Sequence, residues 1–256
     1  MAAIVRPCDG RAVSQADTLY ARPGYYEMLF RERAADLPFY LRAAAAAKGP
    51  VLEVGVGTGR VAIPLARAGH GIVGLDRSAR MLAGLGRSLE AEPAEVRARI
   101  TLVEADARTF ALHRRFELIT CPFNGVAHLH GEDVAAFLAR VREHLAPGGR
   151  MAFDALVPDT RLHEGASWEI PWFRDPETGE VARCTESAVF DPGRRVLTIT
   201  SRIRFMESDR PPEELTLSLA RRQPAEYRAL LREAGFTIAA ETADLGDSVA
   251  WLCFAA

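Results

Sequence analysis

Cysteine is scarce and scattered. The 256 residues hold four, Cys8, Cys121, Cys184 and Cys253, and no two stand at a C-x-x-C spacing. That excludes a zinc knuckle or a dithiol redox motif and suits the reduced thiols of a cytoplasmic protein. No apolar run approaches the roughly 20 residues of a membrane span. The opening MAAIVRPCDGR lacks a basic stretch followed by an apolar one, so a secretory signal is not expected. Positive charge is not in surplus: 32 Lys and Arg stand against 34 Asp and Glu, a net charge of −2. This argues against nucleic acid or an anionic membrane as the main partner. Internal repeats are absent, and alanines 43–47 are the one compositional run.

What is present is an ordinary globular balance. Hydrophobic residues make up 48% of the chain and charged residues 26%. The length fits one α/β domain with an elaboration. From residue 23 to 48 the composition is helical, and Pro38 divides the stretch in two, because an interior proline costs about 3 kcal/mol. Strands and helices then alternate. The apolar runs at 51–55, 71–76, 98–106, 116–121 and 150–156 read as strands. Between them lie helical patterns at 60–68, at 79–90 behind the N-cap candidate Ser78, and at 132–145. Strands separated by helices predict parallel pairing with crossovers.

The pattern changes at Pro158. Residues 158–180 read as loop and carry Trp168, Trp172 and Phe173. Beyond them, Leu197, Ile199, Ile203 and Phe205 alternate with Thr198, Thr200, Arg202 and Arg204, a period of two. With 181–190 and 215–222 this predicts about three antiparallel strands inserted into the α/β frame. The frame resumes with a helix at 224–235, proline at its start and glycine at its end. Residues 236–245 and 248–256 are too close together to enclose a crossover helix and must pair antiparallel. The expected division is a helical lid segment at 1–49, a cofactor-binding core at 50–157, the inserted sheet at 158–222 and the rest of the core at 223–256.

Residues 51–60 read VLEVGVGTGR. A strand, a glycine-rich turn and a helix form a nucleotide site, because bare backbone N–H groups and a helix N-terminus face the ligand. The spacing Gly55, Gly57, Gly59 is G-x-G-x-G. Arg60 stands where the dinucleotide fingerprint G-x-G-x-x-G has its last glycine. Asp76 ends the next strand, 17 residues after Gly59. A carboxylate there can accept both hydroxyls of a ribose in charge-assisted hydrogen bonds of about 1.5–3 kcal/mol.

These residues resemble motif I of the class I S-adenosylmethionine-dependent methyltransferases. VGLDRSARML resembles the next motif, EADART the acidic motif after the third strand, FELITCPFNGVAHL the motif around the fourth, and HLAPGGRMAF the turn before the fifth. Within the family the chain resembles small-molecule N-methyltransferases of the glycine and aminosugar type. The resemblance implies a Rossmann-like seven-stranded, mostly parallel sheet with an antiparallel last strand, plus the inserted antiparallel sheet. It implies S-adenosylmethionine as cofactor, with Asp76 on the ribose beside Arg77 and Met81 on the adenine. It further implies Asp106 at the adenine amino group, Ala107 at a ring nitrogen through its backbone, and Pro122 beside the methionine part. Glu53 either orients the ammonium of the amino-acid tail or is satisfied by backbone N–H groups.

Methyl transfer to an amine needs no base in the transfer step, whereas a phenol or alcohol usually does. His128 is the candidate, as base or acceptor ligand; its alternative is packing under the following helix. His128 and His130 form no metal set with a carboxylate, so no metal is expected. In resembling enzymes a tyrosine-bearing N-terminal segment closes over the cofactor. This makes Tyr20, Tyr25 and Tyr26 candidates, with Tyr20 assigned to the cofactor and Tyr25 to catalysis. Trp168, Trp172 and Phe173 either meet an acceptor or form the core of the inserted sheet. Open edges of that sheet invite pairing into a homodimer. The function expected is methyl transfer to a small molecule, N- ahead of O-. The alternatives are a nicotinamide-dependent oxidoreductase and a non-catalytic scaffold. A base-flipping D/N-P-P-Y/F tetrapeptide is absent; the sequence there is CPFN.

Overall fold

The structure is a computed structural model that describes residues 4–5, 18–156, 166–245 and 248–255. Its apolar runs build a sheet in which β2 (Val51–Val54), β3 (Ile72–Asp76), β4 (Ile100–Glu104), β5 (Phe116–Cys121) and β6 (Leu145–Leu156) are parallel. All four residues of β2 are buried, as expected for a strand covered on both faces. The helices supply the cover: α2 (Leu37–Ala45), α3 (Ala62–Arg67), α4 (Ala79–Glu90) and the short α5 (Ala94–Ala98) on one side, with α6 (Asp133–His144) and α7 (Pro224–Glu233) in the core of the other. β11 (Phe236–Leu245) and β12 (Ser248–Ala255) pair antiparallel, and β12 lies antiparallel to β6. The order β4-β3-β2-β5-β6-β12-β11 places the reversal between β2 and β5, the position where such folds bind ligands.

The seven-stranded frame is the expected one. An eighth strand, β1 (Ile4–Val5), adds parallel to β4 at the edge. Two residues are too few to show a period, so no sequence pattern marks it. The rest of residues 1–17 lies outside the described residues. α5 also lacks a period long enough to recognise.

The insertion is a sheet of four antiparallel strands rather than about three. β7 (Ala166–Arg174), β8 (Val181–Asp191), β9 (Val196–Phe205) and β10 (Glu213–Ala220) lie in the order β10-β9-β8-β7. β7 comes from the stretch read as loop. Its residues are mostly exposed, and its register shifts between Ile170 and Phe173, next to Pro171, so no alternation betrays it. One face of this sheet buries Ala182, Cys184, Ile203, Phe205 and Leu215 against Leu19 and α1 (Pro23–Phe30).

A buried ion cluster joins the same parts. The Arg22 guanidinium donates to Asp175 at 2.6 Å, to Glu177 at 2.5 Å and to Glu213. Asp175 is fully buried and Arg22 nearly so. Thr18 Oγ1 accepts the outward N–H of Thr216 at 2.8 Å and so occupies part of the edge of β10. The segment between the two sheets is thereby fixed at both ends.

Candidate functional site

A cleft of about 1110 Å³, counting its open mouth, lies at the carboxyl ends of β2, β3, β4 and β5. Gly55 and Gly57 line it at φ of +73° and +56°, a region costly for residues with a Cβ. A Cβ added at Gly55 would meet nothing within 4 Å and would stand in the cleft itself. Gly59 does not line the cleft, which corrects its assignment to the cofactor. Its Cβ would fall 2.3 Å from Leu85 Cδ1 and 3.2 Å from Ile63, so this glycine lets α3 and α4 approach.

Asp76 ends β3, as the apolar run ending in an acid requires. Its Oδ2 accepts from Gly57 N at 2.9 Å and its Oδ1 from Ser78 N at 2.8 Å. Burial raises its pKa, and the two backbone donors act against that rise. Ser78 caps α4 by accepting from Met81 N at 3.3 Å. The cap brings Met81 and Arg77 to the cleft wall.

Glu53 is buried at 2% exposure, and its Oε2 has no hydrogen-bond partner among the described residues. Burial pushes its pKa up to about 8, against the Arg60 charge and the Ala62 N–H, which lower it. A buried carboxylate with one unpaired oxygen on a cleft wall suits a cationic ligand group.

At the other end Asp106 and Ala107 line the cleft in the loop after β4. Past β5 the chain turns sharply through Phe123 and Asn124, at φ of +54° and +60°. Asp154 from β6 holds that turn: it accepts from Phe123 N at 2.7 Å, from Asn124 N at 3.2 Å and from Tyr40 Oη at 2.5 Å. Asn124 in turn accepts from Leu156 N. This presents Pro122, Phe123 and the 3-10 turn Gly125–His128 to the cleft. Asp154 and Tyr40 escaped the sequence reading because the turn that Asp154 holds and the Tyr40 that Asp154 meets lie 30 or more residues from it in the chain.

Tyr20, in the 3-10 turn Thr18–Ala21, and Tyr26, in α1, reach the cleft. Tyr20 Oη and His128 Nε2 share a hydrogen bond of 2.8 Å, with the rings 5.5 Å apart edge to face. His128 lines the cleft and meets Tyr20 there. Tyr25 is a correction: it is 0% exposed, donates to Cys184 Sγ at 3.2 Å and packs on Phe173 beneath the inserted sheet. Successive residues of a helix point about 100° apart, so Tyr25 and Tyr26 of α1 cannot both face one cleft. Of the three aromatics after β6, Phe173 joins the sheet core, while Trp168 and Trp172 are exposed and do not line the cleft.

Arg60, weighed only as a missing glycine, is a wall of the site. Its guanidinium grips Asp36 at 2.6 and 2.5 Å and lies 5.0 Å from the Phe123 ring centroid, with Arg33 at 4.9 Å from the same centroid.

The sheet is doubly wound with an antiparallel terminal pair, a glycine turn follows its first core strand, and an acid ends the next. Residues 51–149 match the family profile described as a methyltransferase domain. Over 121 residues the chain is 35% identical to the dTDP-3-amino-3,6-dideoxy-alpha-D-glucopyranose N,N-dimethyltransferase of Streptomyces fradiae, covering 47% of this chain and 44% of that one. Over 147 residues it is 30% identical to a ubiquinone biosynthesis O-methyltransferase of Cereibacter sphaeroides, covering 56% and 54%. The matched stretch spans about half the length of these curated relatives. The CcbJ methyltransferase of Streptomyces caelestis shares the fold with a TM-score of 0.74 at 24% identity, over 88% of this chain and 90% of that one.

Proposed function

We propose that the protein transfers a methyl group from S-adenosylmethionine to a small-molecule acceptor, with nitrogen favoured over oxygen. The observation that carries this reading is one cleft that offers Asp76, oriented by two backbone donors, and Glu53, with a buried oxygen lacking a partner. The first suits a vicinal diol and the second an ammonium, the polar groups of an adenosyl amino acid. Bound there, the cofactor supplies an activated sulfonium methyl. The curated N,N-dimethyltransferase, the stronger of the two sequence likenesses, supports nitrogen.

The residues of this chain bind, orient and exclude water. Gly55 and Gly57 admit the ligand to the backbone, and Met81 gives an apolar wall. Tyr20 and Tyr26 roof the cleft. Alignment of this kind supplies about 7–11 kcal/mol to a transfer between two bound partners. His128, held by Tyr20, faces the cleft from the turn after β5. It positions the acceptor and takes the proton that an amine loses. A reducing, cytoplasmic setting belongs to the proposal and is supported by Cys121, Cys184 and Cys253 being free and buried. So does a homodimer, supported by the open edge of β7 with its exposed Trp168 and Trp172. Light scattering that finds monomer alone at micromolar concentration removes the dimer.

Thermal unfolding with S-adenosylmethionine, S-adenosylhomocysteine and NAD tests the cofactor. A ligand at 100 times its Kd stabilises by about 2.7 kcal/mol. Shifts with the two adenosyl sulfur ligands and none with NAD are expected. A shift with NAD alone overturns the reading. Mass-spectrometric gain of one methyl on an aminosugar nucleotide, and none on a phenol, is the result expected for the acceptor.

A further inference from the structure

The chain leaves β5 by a costly path. Phe123 and Asn124 stand at φ of +54° and +60°, two successive left-handed residues that carry side chains. Asparagine tolerates that region, whereas phenylalanine brings its Cβ too close to the following carbonyl oxygen. Such strain persists only where the surroundings over-determine it, and it gathers at functional sites.

Here the end of β6 does so. Asp154 Oδ1 accepts from Phe123 N at 2.7 Å and from Tyr40 Oη at 2.5 Å, and its Oδ2 accepts from Asn124 N at 3.2 Å. Two residues further on, Leu156 N donates to Asn124 Oδ1. Asp154 is 1% exposed, and all three of its partners donate, which suits an acceptor-only carboxylate. The held turn runs straight into the next one. Gly125 N donates to Pro122 O at 3.2 Å, and Ala127 N donates to Asn124 O at 2.8 Å. That turn ends at His128, which meets Tyr20 across the cleft. Asp154 and Tyr40 do not line the cleft themselves.

We infer that Asp154, oriented by Tyr40, is a positioning residue that clamps the strained turn after β5 and so fixes where His128 stands, without touching a ligand. The inference rests on the reading of His128 as the residue that meets the methyl acceptor. Asp154→Asn keeps the shape of the side chain but turns one acceptor into donors. It cannot satisfy Tyr40, Phe123 and Asn124 together, so at least one backbone N–H is lost and the turn relaxes.

The imidazole NMR signal of His128, assigned with His128→Ala, reads this without any ligand. Tyr20→Phe removes the hydrogen bond to the ring and marks the signal of a released imidazole. Asp154→Asn is expected to move the signal towards that value, and Tyr40→Phe to move it part of the way. General destabilisation lowers Tm without singling out this ring. An unmoved signal in either variant overturns the inference, and Tyr40→Phe decides alone if Asp154→Asn does not fold. Turnover on an aminosugar nucleotide is the second readout. A displacement of about 1 Å costs up to about 10²-fold. Asp154→Asn is expected to lose no more turnover than His128→Ala, and the double variant no more than His128→Ala alone. Losses that multiply overturn an action through His128. A wild type that methylates no aminosugar nucleotide overturns the acceptor reading alone, because the imidazole signal still decides the clamp.

Discussion

Gly55 and Gly59 look alike in the sequence, and the structure gives them opposite duties that alanine can separate. Both have positive φ, +73° and +91°, where a Cβ costs about 1–2 kcal/mol. At Gly55 nothing lies within 4 Å of the added methyl. Gly55→Ala should therefore lose only the backbone strain, about 1–2 kcal/mol. At Gly59 the methyl falls 2.3 Å from Leu85 Cδ1, and Ile63 closes the other side at 3.2 Å. Leu85 is fully buried and cannot swing aside without disturbing its neighbours. Overpacking adds about 1–3 kcal/mol, for a total of about 2–5 kcal/mol. In a chain of this size that lowers Tm by about 5–15 °C. Differential scanning calorimetry measures both variants, and titration with S-adenosylhomocysteine measures their binding. Gly59→Ala should melt much earlier yet bind with near-normal affinity at low temperature; Gly55→Ala should melt little earlier and bind poorly. Equal melting of the two, or normal binding by Gly55→Ala, refutes the reasoning.

Other outcomes follow from the same geometry. Asp76→Ala should weaken S-adenosylhomocysteine at least tenfold, about 1.4 kcal/mol, and unchanged affinity removes Asp76 from the ribose. Glu53 has its pKa raised from 4.5 to about 8, so the folded chain keeps a proton that the unfolded chain gives up. Its contribution to stability is full below the unfolded value and is lost as pH rises through about 8. An ammonium ligand selects the ionised form, so binding near neutral pH should release a proton. Titration in two buffers of unlike ionisation enthalpy reads that release; Glu53→Gln should abolish it, and identical apparent enthalpies for the wild type count against the ammonium role. His128→Ala should lower turnover with cofactor affinity retained, through loss of acceptor positioning and of a proton acceptor for the product, whereas unchanged turnover makes His128 a packing residue. Arg22→Ala leaves the buried Asp175 with only its backbone donors Glu177 N and Thr178 N and should cost about 3–5 kcal/mol in denaturant unfolding; a loss under 1 kcal/mol shows that those donors and solvent replace the guanidinium.

Local chemistry by itself determined the frame and much of the cleft. Buried parallel strands must be apolar throughout, so their runs are visible one by one, and an acid that ends such a run marks the carboxyl end where ligands bind. Ser78 announces its helix because a cap is satisfied within three residues. Glu53, Gly55, Gly57 and Asp76 therefore could be named from short stretches. Tertiary structure decided the rest. Whether Tyr25 or Tyr26 meets the cleft depends on how α1 is rotated against a sheet more than 150 residues further along the chain, through contacts such as Tyr25 with Cys184. Gly59 serves packing rather than ligand because of Leu85, in another helix. Asp154 and Arg60 matter through partners distant in the chain, Phe123 and Asp36. β7 is a strand because β8 offers it a ladder, although its own exposed residues carry no period. Periodicity and capping act within a turn or two and are written locally, whereas facing, approach and ion pairing exist only once distant segments meet.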